Sequence, residues 1–237
     1  MTHAQAPAPT TLLHTRENTV HAKPTLVPYV VQREGEEAAP NNLLLTTLGP
    51  GKYRLRYADE VPADRDVRGV LWARCSFGPV DDAMMPTGKP QWRMMHPLRQ
   101  RTTMQAMRCQ VCAESARTPL GYVFLSGPDT MDTSQTPVLT AQPPVCAWHV
   151  RASAELCPHL DGRPMVFLAQ SAPLYGVSGV GYGYGDQGVQ VVNRPDSPIP
   201  YHHPLISTVL ASQLVRRLSS FRLVDLDELM QELERTP

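Results

Sequence analysis

Two short pairs constrain this chain more than any other feature: Cys109-Gln110-Val111-Cys112 and Cys146-Ala147-Trp148-His149. A two-residue gap lets both side chains of a pair reach one coordination sphere. Two such pairs supply the tetrahedral sulfur and nitrogen set that zinc takes. Four buried cysteine and histidine side chains acting as small hydrophobes are the plain alternative, but that role asks for no particular spacing. Cys157 and His159 stand in reserve as a fourth ligand if Pro143-Pro144 shift the start of the following helix. In a continuous helix, at ~1.5 Å per residue, Cys157 would lie about 16 Å from Cys146. The expected set is therefore Cys109, Cys112, Cys146 and His149, with Zn2+ as cofactor. All four positions are protein groups, and a catalytic zinc keeps one open for water, so the ion's expected role is structural.

The rest of the chain divides by composition. Residues 1–23 are rich in Ala, Pro and Thr without periodicity and read as a disordered tail. Residues 24–80 form a β-rich part: strand-like runs over 25–31, 43–48, 53–57 and 67–77 predict a small antiparallel sheet, with 33–40 an exposed loop. Residues 81–163 hold the zinc module and a basic lead-in. Here residues 78–90 are a breaker-rich linker, 98–107 a helix, and 121–127 and 137–141 a hairpin around a polar loop at 128–136. A second helix over 145–156 is stopped by Pro158. Residues 164–237 carry strands at 165–168, 174–177 and 189–192, a flexible glycine-rich hairpin at 176–185, a helix at 204–219 and an acidic helix at 225–233. One compact domain over 24–237 is the alternative division. The fold class is α+β, with small antiparallel sheets around the zinc module and C-terminal helices.

A cysteine knuckle, a hairpin, and a helix whose first turn carries the second ligand pair together resemble the treble-clef zinc-finger superfamily. The resemblance covers residues 105–160 and no more. It implies a local fold built on the metal. The superfamily also contains HNH-type nucleases, which keep a catalytic histidine on the hairpin. Residues 121–141 contain no histidine, and His149 is already a metal ligand, so the resemblance does not carry cleavage with it. A divergent HNH-like nuclease is the alternative reading, with Asp129 and Asp132 as weak magnesium candidates.

Charge narrows the partners. The formal net charge is zero, so no global field draws the chain to nucleic acid, and binding would need a local patch. Residues 86–113 supply one: Lys89, Arg93, Arg99, Arg101 and Arg108 with no acidic residue, interleaved with Trp92 and methionines. Arg93, Arg99, Arg101 and Arg108 on phosphates, with Trp92 stacking, would let residues 89–108 contact DNA or RNA. A solvated helix face over packed methionines is the competing reading. Residues 225–233 present Leu226, Leu229 and Leu233 on one face of an acidic helix, which docks on a protein partner or packs on its own domain. Cys75 reads as a buried strand cysteine. No apolar run reaches the 18 or so residues of a spanning helix, so no membrane contact is expected. An odd cysteine count and no secretory signal point to a reducing cytoplasm. The expected function is that of a non-catalytic zinc-binding protein contacting nucleic acid or another protein, with an adaptor role through the acidic helix as a further alternative.

Overall fold

A computed structural model describes residues 26–40, 42–127, 137–157, 159–160 and 164–236. The expected tail at 1–23, the loop 128–136 with Asp129 and Asp132, and Pro158 lie outside the described residues. In chain order the elements are β1 (Val31–Arg33), β2 (Leu43–Gly49), β3 (Lys52–Tyr57), β4 (Leu71–Trp72), β5 (Pro90–Met95), α1 (Pro97–Ala106), β6 (Arg117–Thr118), β7 (Gly121–Ser126) and β8 (Leu139–Thr140). These are followed by α2 (Ala147–Leu156), β9 (Met165–Ser171), β10 (Leu174–Gly185), β11 (Gly188–Asn193), β12 (Ile199–Pro200), β13 (Val209–Arg217), β14 (Ser219–Val224) and α3 (Leu226–Arg235). Among the described residues the architecture is α+β: several small, mostly antiparallel sheets and three α-helices. None of those helices is long and apolar enough to cross a membrane.

Four sheets carry the strands. The largest runs β11-β10-β13-β4, with β12 also on β10 and β8 also on β13; a second runs β14-β9-β7-β6; β1-β5 and β2-β3 are two-stranded pairs. The pairing of β4 with β13 is parallel, whereas β10, on the other edge of β13, is antiparallel to it. The strand at β13 corrects the helix expected over 204–219. Its Val209, Ala211, Leu214 and Val215 are all buried, because a central strand has neighbours on both faces. Leu205, Val209, Leu214, Val215 and Leu218 fall at roughly helical spacing in the sequence, and over so short a segment periodicity alone does not separate a buried strand from a helix. One helix, α3, therefore closes the chain where two were expected.

Other expectations are redrawn in the same way. Residues 25–77 do not make one sheet: β1 pairs with β5, β2 with β3, and β4 joins β13. Strand β5 begins at Pro90, directly after the breaker-rich stretch. The expected hairpin between 121–127 and 137–141 does not form, because β8 pairs with β13 and β7 turns back instead on β6. The glycine-rich stretch at 176–185 is strand within β10, with its register shifting between Ser178 and Gly179 and between Gly181 and Tyr182. A Cβ on Gly176 would collide with the Ile199 carbonyl, so the absence of a side chain there lets β12 approach. Residues 33–40 are not an exposed loop throughout, since Arg33 and Glu36 are each only 2 % exposed.

Helix α1 links the sheets. His96 caps its start, accepting the Arg99 N–H at 3.4 Å on Nδ1, and Pro97 fills the first helical position, where no N–H is needed. Gln100 donates to the carbonyls of Ala141 and Leu214 and accepts from the Leu214 N–H at 2.8 Å, tying α1 to β13. Buried Arg216 of β13 donates to the Met104 and Gln105 carbonyls, meeting the last-turn C=O groups of α1 with a cation.

Candidate metal centre

The C-terminus of α1 delivers the first ligand pair. Met107 adopts the left-handed conformation, φ 53° and ψ 47°, which ends the helix and turns the chain into the knuckle. There the Cys109 N–H bonds the Glu114 carbonyl at 2.7 Å and the Ala113 N–H bonds the Cys109 carbonyl at 2.9 Å. The Val111 N–H points at the Cys109 Sγ at 3.4 Å. The second pair comes from α2. Cys146 is its N-cap residue, with φ −75° and ψ 160°, and His149 stands in the first turn. Two backbone bonds fix this start: Gln110 N–H to Pro144 O at 2.9 Å, and Val145 N–H to Val123 O at 2.8 Å. Knuckle, β7 and α2 are thereby held together before any side chain takes part.

Cys109, Cys112, Cys146 and His149 form a cluster that can hold a metal ion: their ligand atoms all lie within 4.8 Å of one another. The individual separations suit a tetrahedron. Two sulfurs each ~2.3 Å from a zinc would be about 3.8 Å apart, and a sulfur and an imidazole nitrogen about 3.6 Å. Here Cys112 Sγ and Cys146 Sγ are 3.9 Å apart. His149 Nδ1 lies 3.9 Å from Cys109 Sγ and 3.2 Å from Cys146 Sγ. Cys109 is fully buried and Cys146 7 % exposed, within a core that includes Val123, Val145 and Val150.

The cluster's protonation state points the same way. Hydrogen bonding from the Cys146 thiol and from backbone N–H groups outweighs burial and holds the Cys109 thiol down to about 5. Cys146, hydrogen-bonded to Cys109 and buried beside it, is pushed far up, and burial raises Cys112. By themselves, then, the three sulfurs share one negative charge. A divalent cation offsets that repulsion and lets all three bind as thiolates. The reserve ligands are elsewhere: Cys157 ends α2, and His159 donates from Nε2 to the Trp92 carbonyl at 2.7 Å.

The arginines expected to form a strip differ in exposure. Arg93 and Arg108 are exposed and Trp92 is half-buried; Arg108 donates to the Ala113 carbonyl at 3.0 Å. Arg101 is also half-buried. Its guanidinium lies 5.3 Å from the centre of the Trp72 ring and donates to the Ala63 carbonyl at 3.1 Å. Arg99 corrects the expectation outright. It is 3 % exposed and both terminal nitrogens bond Glu36, so its guanidinium is not presented to a phosphate at the surface. Nor does α3 present an apolar face to solvent: Leu229 is buried in the core beside the metal cluster, and Leu226, Met230 and Leu233 pack against it. Cys75 is buried, as its sequence context indicates, and burial raises its pKa.

One feature escaped the sequence reading. Trp148, between the ligands of α2, is 91 % exposed, and only its position two residues after Cys146 hinted at this. Comparison of the chain with protein-family models, curated proteins and solved structures finds no match.

Proposed function

We propose that this chain is a non-catalytic zinc protein in which one Zn2+, held by Cys109, Cys112, Cys146 and His149, locks α2 and the knuckle to the β7 sheet. The arrangement of knuckle, β6–β7 hairpin and ligand-bearing helix supports reading residues 105–160 as a treble clef. The single observation that carries this is the mutual approach of four donors from two distant pairs to within 4.8 Å. Four protein ligands leave no position for water, which favours a structural ion over an HNH-like catalytic one. Metal analysis of purified protein tests the reading. One zinc per chain is expected, and a metal content near zero after expression with added zinc removes it.

A partner contact is the second reading, and the exposure of Trp148 favours it. An indole this open on a ligand-bearing helix is the kind of aromatic anchor that interfaces bury. Contact with DNA or RNA along residues 89–108 would rest on Arg93, Arg108 and Trp92, with Arg101 partly engaged in the fold. Single-stranded DNA titrated at low salt separates the two surfaces. Loss of affinity in Arg93→Ala and Arg108→Ala assigns a nucleic-acid contact to the lead-in, and loss in Trp148→Ala assigns it to α2.

A further inference from the structure

A cavity of about 590 Å³ opens among β5, the end of β7, β8 and the last turns of α2. Its size falls in the ~300–1,000 Å³ range of small-molecule sites. Its lining is graded by depth. Val30, Val31, Leu125 and Leu160 are buried and make an apolar floor, whereas Arg93, Met94, Gln142 and His159 are exposed and make the rim.

Two polar features stand out against that background. Ser153, on the buried face of α2, is 6 % exposed, and its hydroxyl has no hydrogen-bond partner. Leaving a buried hydroxyl unpaired is costly, a cost that a bound polar atom would relieve. At the rim, Arg93 is the one formal cation among the described lining residues, and none of those residues is an aspartate or glutamate. His159 is already committed to the Trp92 carbonyl. The described lining therefore sets one unpaired buried hydroxyl within an apolar surface, behind an opening that carries Arg93.

We infer that this cavity binds an aliphatic carboxylate carrying a second oxygen. The carboxylate meets Arg93 at the rim, the chain lies on the apolar walls, and a hydroxyl or carbonyl oxygen pairs with Ser153. The metal is not a participant: the four ligands do not line the cavity, although α2 and Gln110 of the knuckle form part of its wall.

The test uses the full chain in zinc-containing buffer, with calorimetric titration of 10-hydroxydecanoate, decanoate and 1,10-decanediol. Saturable binding is expected, tightest for the hydroxy acid. Arg93→Ala lies on the surface and leaves folding untouched. It is expected to weaken both acids about 2–5-fold, as for an exposed ion pair, and to leave the diol unchanged. Ser153→Ala is expected to erase the preference for hydroxydecanoate over decanoate, a change of about 5-fold. Absence of saturable binding by the wild type at millimolar ligand overturns the inference. So does an Arg93→Ala effect equal for acid and diol, or a hydroxyl preference that survives Ser153→Ala.

Discussion

Glu36 and Arg99, 63 residues apart in sequence, meet in a two-pronged ion pair with both N···O distances at 2.6 Å. Their side chains are 0 and 3 % exposed. The carboxylate also accepts the backbone N–H groups of Arg33 at 2.7 Å and Gly78 at 3.2 Å. Arg99 in turn donates to the Val31 carbonyl at 2.9 Å. One buried carboxylate thus fastens α1 to two separate stretches of the N-terminal part.

Removing one member of this pair leaves the other charge buried without compensation, which costs about 3–5 kcal/mol. Arg99→Met is expected to lose stability on that scale by urea unfolding. The double variant Glu36→Leu/Arg99→Met should recover much of the loss, because it removes both desolvated charges. A loss below about 0.5 kcal/mol in Arg99→Met would place this arginine at the surface.

Acid should weaken the fold in two steps. Burial, reinforced by the nearby Arg99 guanidinium, depresses the pKa of His96, which donates from Nε2 to the Ser76 carbonyl at 3.1 Å. The unfolded chain therefore binds a proton more readily than the folded one, and stability falls as pH drops below about 6.5. Burial pushes the Glu36 carboxyl up, but hydrogen bonds from Arg99 and the backbone outweigh it and hold it at about 2. Its contribution is intact above the ordinary carboxylate pKa of about 4.3 and is lost between there and pH 2. Thermal melts of His96→Asn, which keeps a capping acceptor, should show a flatter dependence between pH 6.5 and 5. An unchanged slope would mean another group titrates there.

Zinc removal should act locally. Chelation is expected to raise hydrogen exchange first at residues 109–112 and in the first turn of α2, and to lower the melting temperature. Cys112→Ser should reproduce that lower temperature without chelator and respond little when chelator is added. Equal melting of wild type with and without chelator would deny the ion a folding role.

Two apolar residues near the cluster should part company. Leu229 of α3 is 1 % exposed, so Leu229→Ala should cost about 2–5 kcal/mol through the cavity it leaves. Trp148→Ala, at 91 % exposure, should change stability by no more than about 0.5 kcal/mol. Chemical denaturation of the two variants makes the comparison, and a large loss in Trp148→Ala would reveal contacts inside the protein.

The metal cluster was legible because its signal is local: two pairs of ligands, each closed by a two-residue gap. The helices α1, α2 and α3 and the strands β2 and β3 were legible for the same reason, through local apolar spacing and breaker residues such as Pro158 and Gly49-Pro50-Gly51. What escaped depended on partners distant in sequence. Nothing near Arg99 announces Glu36, so a buried arginine read as a surface cation. Nothing near residues 209–217 announces that β10 and β4 flank them, so a central strand read as a helix. The hairpin drawn from β7 to β8 failed on the same ground, since the partner of β8 lies in β13.

The parallel contact of β4 with β13 also fixes an order of events during synthesis. Leu71 has its register partner at Leu210, so this pairing of the largest sheet stays open until residue 210 has left the ribosome. Contacts this distant slow folding because a long loop must close before they form. Trp72, whose apolar cluster draws on Val177, Val209 and Leu214, stays partly uncovered in the nascent chain until then, which gives chaperones a window in which to bind it.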